Sequence, residues 1–128
     1  MNPEMWMAKA EKCLSSAELL LKNGDPDAAF NRSYYAMFNA ARASLLIVGQ
    51  GEKAMSKTHS TIIGAFGQYI AKTGFVPLEM GRIFSHEFQR RLFSDYEGGE
   101  ITVIEAKDSI DNATKFIAAV KQWISTQQ

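Results

Sequence analysis

The sequence contains almost none of the residues from which disulfides and zinc sites are built. Cys13 is the only cysteine in 128 residues, which excludes an intramolecular disulfide and a cysteine-rich zinc site. His59 and His86 are the only histidines, too few for a typical zinc centre without several carboxylates. We therefore expect no metal and no other cofactor, and the cysteine usage favours a cytoplasmic protein.

Long apolar runs and a net charge are also missing. No run approaches the roughly 20 apolar residues that cross a bilayer, and the N-terminus, with Glu4 and Glu11, has no signal-peptide core. We expect no contact with a membrane. The 14 lysines and arginines balance 14 aspartates and glutamates, so the molecule as a whole does not attract nucleic acid. Binding of nucleic acid would therefore need a local basic patch.

β-Strand patterning is absent as well, because no segment sustains an alternation of apolar and polar residues. Helical periodicity instead predicts five helices, with a loop at 49–53 after the second. The predicted helices cover residues 3–23, 25–48, 56 or 58 to 73, 77–96 and 102–128. Hydrophobic residues make up 46% of the chain, enough for one core. These features predict a single domain over residues 1–128 with an all-α fold, an antiparallel bundle of four to five helices.

Local signals set the ends of these helices. Asp25 followed by Pro26 is a helix-start signature for the second helix. Pro77 is expected to open the fourth helix. Thr102 and Glu105 have the spacing of a capping box at the start of the last helix.

The second helix is predicted to be central, because three different stripes run along it at helical spacing. One stripe is large and apolar, one is small and one is polar. The large stripe is Phe30, Tyr34, Met37, Phe38, Ala41, Leu45 and Val48; the small one is Ala29, Ser33, Ala36, Ala40 and Ala43; the polar one is Arg32, Tyr35, Asn39 and Arg42. Such a helix lies inside a bundle or at a subunit contact. The small stripe and the excess of apolar side chains predict a homodimer.

The fourth helix carries the richest polar cluster. Arg91 and Asp95 are four residues apart and can pair, and an arginine so held, with the hydroxyl of Tyr96 close by, can grip a phosphate. An ordinary salt bridge at a helix end explains the same residues. His86 and Arg90 are also four apart and can meet.

Two further groups admit two interpretations. The polar stripe of the second helix is either a solvated face or the wall of a groove shared with Arg91. His59 lies in the first turn of a helix on its apolar side. A hydrogen-bonded histidine at a helix start is favoured there over a catalytic base.

Three segments together resemble the HEPN domain: Asn31-Arg32-Ser33-Tyr34-Tyr35-Ala36-Met37-Phe38, Lys57-Thr58-His59, and Arg91-x-x-x-Asp95-Tyr96. The likeness covers nearly the whole chain and is closest to the small stand-alone bacterial and archaeal HEPN proteins. It implies a helical bundle that pairs into a dimer. Such proteins are often encoded beside a minimal nucleotidyltransferase, and the two act as a toxin–antitoxin pair.

Many HEPN proteins are metal-independent ribonucleases that carry an Arg-x(4–6)-His motif. This chain has a tyrosine at the corresponding position, Arg91-x(4)-Tyr96, and His86 precedes both Arg90 and Arg91. The resemblance therefore predicts a partner of a nucleotidyltransferase-like protein that binds RNA or a nucleotide at an arginine–tyrosine cleft. The alternatives are an active ribonuclease toxin with an atypical site and a non-enzymatic interaction module. The predicted catalytic residues are Arg91, Asp95 and Tyr96, and the predicted RNA- or nucleotide-binding residues are Arg32, Tyr35, His59, His86 and Arg90.

Overall fold

The structure of the chain, a computed structural model, describes residues 2–127 and all side chains in that range except those of Tyr96 and Glu97. Over residues 2–127 it is helical and contains no β-strand, which confirms the predicted all-α bundle. The helices are α1 (Pro3–Lys22), α2 (Pro26–Ile47), α3 (Gly51–Ala54), α4 (His59–Phe66), α5 (Glu79–Glu97) and α6 (Val103–Ser125), and a π-helical segment, Gly67–Ala71, continues α4. Each of these helices is either too short or too polar to cross a membrane.

Side chains at the helix starts satisfy the backbone N–H groups that a first turn leaves without partners. The carboxylate of Asp25 accepts a hydrogen bond of 3.2 Å from the N–H of Ala28 at the start of α2. At the start of α6, the N–H of Glu105 donates to the hydroxyl of Thr102, and the N–H of Thr102 donates to the carboxylate of Glu105. The predicted capping box is therefore confirmed.

Helix α2 is the centre of the bundle and contacts every other helix. Helix α1 lies antiparallel to it across a tight turn at Gly24, whose φ of +82° favours glycine. Helix α1 also lies antiparallel to α6, because Pro3 at its start adjoins Ile124 near the end of α6 and Leu21 near its end adjoins Val103 at the start of α6. Helices α2 and α6 begin at the same end of the molecule, where a carboxylate oxygen of Asp27 accepts a 2.9 Å hydrogen bond from the N–H of Ile101.

The small-residue stripe of α2 is buried inside one chain. Ala29, Ser33, Ala36, Ala40 and Ala43 all have 0% exposed surface. The helices in most extensive contact with α2 are α1 and α6, and small side chains let helix backbones come close. This stripe is therefore internal packing, and it leaves no surface through which a second subunit could be recognised.

Aromatic rings fill the core between α2, α4, α5 and α6. Phe84 of α5 has no exposed surface and lies 5.8 Å from Phe66 and 5.4 Å from Phe116 between ring centroids. Phe66 and Phe116 are 4.8 Å apart. Tyr34 and Phe38 of α2 continue the cluster on the other side of Phe84.

Two predicted boundaries are wrong. The predicted loop at 49–53 overlaps a single helical turn, α3, whose Ala54 is fully buried; one turn is too short to give a periodic pattern. Helix α5 begins at Glu79, two residues after Pro77. The carbonyls of Pro77 and Leu78 accept from N–H groups three residues ahead, at 3.0 and 3.2 Å, so a tighter turn precedes the helix.

We expect Phe84→Ala to lower the free energy of unfolding by about 3–5 kcal/mol, because it removes a buried ring and leaves a cavity among other rings. Urea denaturation followed by circular dichroism measures this change. Phe93→Ala is the matched control on the same helix, since Phe93 is 52% exposed, and we expect it to cost less than about 1 kcal/mol. Equal costs for the two variants would contradict this account of the core.

Candidate functional site

The polar stripe of α2 meets α5 at the ring of Tyr35. The guanidinium carbon of Arg32 lies 5.4 Å from the centroid of this ring, and that of Arg91 lies 5.8 Å from it. These distances are within the range of cation–π attraction, which orients the two guanidiniums about one aromatic ring. The prediction that Arg91 and the polar stripe could line one groove is therefore supported by their placement. We call Arg32, Tyr35 and Arg91 the Tyr35 cluster.

A basic cavity between α1 and α2 adjoins this cluster. It has a volume of about 300 Å³, and Tyr35 and Arg32 form part of its wall. Lys9 and Lys12 of α1 are exposed and add two more cations, and none of the described residues that line the cavity is a carboxylate. The chain has no net charge, so this local excess of positive charge is a property of the site.

Tyr34 connects the cluster to the start of α4. Its hydroxyl oxygen lies 2.8 Å from Nδ1 of His59, although Tyr34 itself has no exposed surface. The ring of His59 stacks on Phe38, with centroids 4.3 Å apart. The guanidinium carbon of Arg91 lies 5.4 Å from the centroid of the Tyr34 ring. Tyr34, His59 and Arg91 thus form one contiguous group, and the predicted hydrogen-bonded histidine is found.

Burial and positive charge keep this group in its neutral forms. Burial lowers the pKa of His59, and the positive charges of Arg91 and Arg42 lower it further. Burial raises the pKa of Tyr34 well above its ordinary value, against the opposing effect of Arg91. At neutral pH the site therefore combines a neutral imidazole and a phenol with permanently charged guanidiniums.

Arg42 holds the segment that precedes His59. Its Nε donates to the carbonyl of Ala54 at 3.1 Å, and one terminal nitrogen donates to the carbonyl of Ser56 at 3.4 Å. The guanidinium also lies over the rings of Phe38 and Trp6, at 4.6 and 4.8 Å. Because its donors are used within the chain, Arg42 positions α4 and is less available to a ligand.

Arg91 differs from Arg42 in its partners. Its Nε lies 3.5 Å from a carboxylate oxygen of Asp95, so the predicted ion pair four residues apart is present. This contact lacks hydrogen-bond geometry, and the buried Nε of Arg91 has no hydrogen-bond partner among the described residues. The Arg91 side chain is 21% exposed, so the exposed part of its guanidinium lies at the terminal nitrogens. The predicted third member, Tyr96, has its side chain outside the described part of the structure. A guanidinium with unused donors is suited to an anion such as phosphate.

His86 and Arg90 lie apart from the Tyr35 cluster. One terminal nitrogen of Arg90 is 3.1 Å from Nε2 of His86, so the predicted pair forms. The other terminal nitrogen lies 3.4 Å from the carbonyl oxygen of Glu105, which directs Arg90 toward α6. His86 also lines an outer groove beside Arg82. The structure therefore brings together Arg32, Tyr35, His59, Arg91 and Asp95 but leaves these two predicted residues on another face.

Comparison with models of protein families shows to which family this chain belongs. The model of the HEPN domain matches residues 3–123. The chain belongs to the HEPN family.

Individual relatives of this HEPN protein are similar over most of their length. A UPF0332 protein of Thermotoga maritima is 39% identical over 124 residues, which cover 94% of this chain and 89% of the relative. The UPF0332 protein glr0978 of Gloeobacter violaceus is 40% identical over 100 residues, 77% of this chain and 76% of the relative. A Methanocaldococcus jannaschii protein named Putative toxin MJ0605 is 33% identical over 113 residues, 88% of this chain and 81% of the relative.

Sequence reasoning missed three members of this HEPN site. Tyr34 was assigned to the apolar stripe, and the hydroxyl in that stripe is the signal that could have marked it as a hydrogen-bonding residue. Lys9 and Lys12 of α1 are the other two. Their spacing of three residues puts them on one side of that helix, but the sequence does not tell which neighbour that side meets.

We expect His59→Gln to weaken the pH dependence of stability between about pH 7 and 5. Free histidine titrates near pH 6.5, and burial lowers the pKa of His59, so just below pH 6.5 the unfolded chain binds more protons than the folded one. The stabilisation from neutral His59 is therefore complete above pH 6.5 and is lost as the pH falls toward its folded-state pKa. Urea denaturation at a series of pH values measures this.

The control for this experiment is His86→Gln, which removes the exposed histidine of α5. This variant should retain the pH dependence of the wild-type chain. If His59→Gln and wild type lost stability equally on acidification, His59 would not be the group responsible.

Proposed function

We propose that this HEPN protein is a toxin-type protein that binds RNA through phosphate contacts at the Tyr35 cluster and the adjoining cavity. The observation that carries the proposal is the presence of Arg32 and Arg91 about one tyrosine ring, beside a cavity lined by Lys9 and Lys12. The carboxylate of Asp95 pairs with Arg91 in this cluster, and its side chain is 44% exposed.

Phosphate fits this arrangement better than a neutral ligand does. Guanidinium groups donate in pairs to phosphate oxygens, and the partly exposed guanidinium of Arg91 is held beside the ring of Tyr35. The wall of the cavity adds lysines, which act as point charges toward an anion. The phosphates of an RNA strand are spread over successive nucleotides, so one strand can contact the cavity and the Tyr35 cluster together. We therefore propose RNA as the ligand.

The toxin part of the proposal rests on relatives. Two Methanocaldococcus jannaschii relatives carry the word toxin in their names, at 33% and 28% identity. We extend this role to the present chain and propose a nucleotidyltransferase-like protein as its partner, which the HEPN resemblance implies. A nucleotidyltransferase encoded by the adjacent gene would support this pairing.

A homodimer is also proposed, with a basis different from the small-residue stripe. Leu19 near the end of α1 is 63% exposed, and Ile104 at the start of α6 is 72% exposed. The end of α1 and the start of α6 lie side by side around the cavity lined by Leu21 and Val103. Large apolar side chains at one end of a bundle favour burial against a second subunit.

We expect sedimentation velocity at micromolar concentration to give a dimer for the wild-type chain and a shift toward monomer for Ile104→Glu, because a carboxylate in an apolar contact is costly to desolvate. Lys115→Glu, at another exposed position on α6, is the control and should leave the dimer intact. A wild-type chain that sediments only as a monomer would contradict the proposal.

We expect Arg32→Ala and Arg91→Ala each to weaken binding of a short single-stranded RNA by about tenfold, the effect of losing a charge-assisted hydrogen bond. Each loss should also reduce the slope of log affinity against log salt concentration by about 0.7. Fluorescence anisotropy of labelled RNA at several salt concentrations measures both, and gel analysis of the same samples shows whether the RNA is cut.

Arg82→Ala is the matched control, because Arg82 is exposed on α5 but lines the outer groove. It should bind RNA as the wild type does. Equal losses for Arg82→Ala and Arg32→Ala would point to unspecific charge attraction, and failure of the wild type to bind RNA would overturn the proposal.

A further inference from the structure

The buried hydroxyl of Tyr34 constrains the imidazole beside it. Tyr34 has no exposed surface, and its hydroxyl oxygen lies 2.8 Å from Nδ1 of His59. Among the described residues, this nitrogen is the one hydrogen-bond partner of the Tyr34 hydroxyl. A buried hydroxyl group needs an acceptor for its proton. In a neutral imidazole one nitrogen accepts and the other carries the hydrogen. Donation by Tyr34 to Nδ1 therefore requires the hydrogen of His59 to be on Nε2.

The opposite edge of the ring is open to a ligand. His59 is partly exposed, and its Nε2 has no hydrogen bond to a residue whose side chain is described. The ring stands edge-on to Tyr35, with centroids 5.9 Å apart. Because Arg32 and Arg91 lie over the ring of Tyr35, His59 borders the place proposed for a phosphate.

We propose that Tyr34 is a positioning residue that holds His59 as a neutral imidazole with its hydrogen on Nε2, and that this N–H donates to a phosphate oxygen of bound RNA. The second half of the inference rests on the proposed function, whereas the first half concerns the free protein alone. His59 then recognises the ligand by donating a hydrogen bond, and no proton is transferred between the imidazole and the RNA.

A protonated ring is disfavoured by the same geometry. An imidazolium has hydrogens on both nitrogens, so Nδ1 would donate to Tyr34, whose own proton would then have no acceptor among the described residues. Among the side chains that the structure describes, the charged groups that face the ring are cationic, Arg42 from α2 and Arg91 from α5, and the other titratable neighbours are Tyr34 and Tyr35. Each of these features favours the neutral form.

Two-bond proton–nitrogen correlation spectra of protein labelled with ¹⁵N in its imidazoles test the first half. His86→Asn leaves His59 as the single histidine, so its signals need no further assignment. We expect an Nε2 that carries hydrogen and an Nδ1 that does not, at neutral pH and without RNA. A hydrogen on Nδ1, or a doubly protonated ring at pH 7.5, would overturn the inference.

Tyr34→Phe tests the positioning role, because it keeps the aromatic ring and removes only the hydroxyl. We expect the Nδ1 resonance to move toward the position of a free, unprotonated nitrogen. A loss of packing alone, with the hydrogen bond to Nδ1 intact, would not move the Nδ1 resonance in this way. An unchanged Nδ1 resonance would show that Tyr34 does not donate to it.

Two substitutions of His59 test donation to RNA. The side-chain amide of glutamine can supply an N–H near the position of Nε2, whereas the shorter asparagine amide reaches only the position of Nδ1. We expect His59→Asn to weaken RNA binding about tenfold and His59→Gln to stay within about threefold of wild type. Circular dichroism and thermal unfolding check that both variants fold.

The outcomes separate this inference from the proposed function. If Arg32→Ala and Arg91→Ala weaken RNA binding while both His59 variants bind as wild type, the cluster binds RNA but His59 does not donate. If the wild type binds no RNA while the spectra give hydrogen on Nε2 and Tyr34→Phe shifts the Nδ1 resonance, the positioning by Tyr34 stands and the RNA-binding function fails.

Discussion

The dense packing of α2 against its neighbours determines which of its side chains remain for function. Ala36, Ala40 and Ala43 have no exposed surface, and the apolar stripe of the same helix is buried in the aromatic core. The faces of a helix keep fixed angles to one another, so burying two of them fixes the direction of the third. That third face carries Arg32 and Tyr35. The site is therefore built on a rigid helix whose orientation depends on packing energy.

Arg42 and Arg91 are both largely buried, but they differ in how many of their hydrogen-bond donors have a partner within the chain. Arg42 donates to two loop carbonyls and fixes the approach to α4, which makes it structural. Arg91 is also largely covered, but its buried Nε has no hydrogen-bond partner among the described residues, and its guanidinium lies over two tyrosine rings. Aromatic faces hold a guanidinium in place without using its N–H donors. Arg91 is thus oriented and still able to bind an anion, a combination that a fully bonded salt bridge does not give.

Periodicity and capping signals predict the four long helices, the shorter α4 and the buried apolar stripe of α2, because these features depend on residues that are neighbours along a helix. They could not predict α3, which is one turn long, or Glu87, which is fully buried on α5 and accepts a hydrogen bond from Asn112 of α6. The grouping of Arg32 with Arg91 and the separation of Arg90 depend on the angle between α2 and α5, which no local pattern specifies. Lys9 and Lys12 join the site for the same reason.

The histidine missing after Arg91 in the sequence has a counterpart in space. The family motif implied by the resemblance places arginine and histidine on one helix, and this chain has Tyr96 where that histidine would stand. His59 instead reaches the neighbourhood of Arg91 from the first turn of α4, through its hydrogen bond to Tyr34. Burial lowers the pKa of this histidine, and the positive charges of Arg91 and Arg42 lower it further, which favours the neutral ring. A neutral imidazole has one N–H, which is suited to donate a hydrogen bond to an anion. In the arrangement proposed above, Arg91 and His59 therefore contribute to phosphate recognition from different helices, α5 and α4.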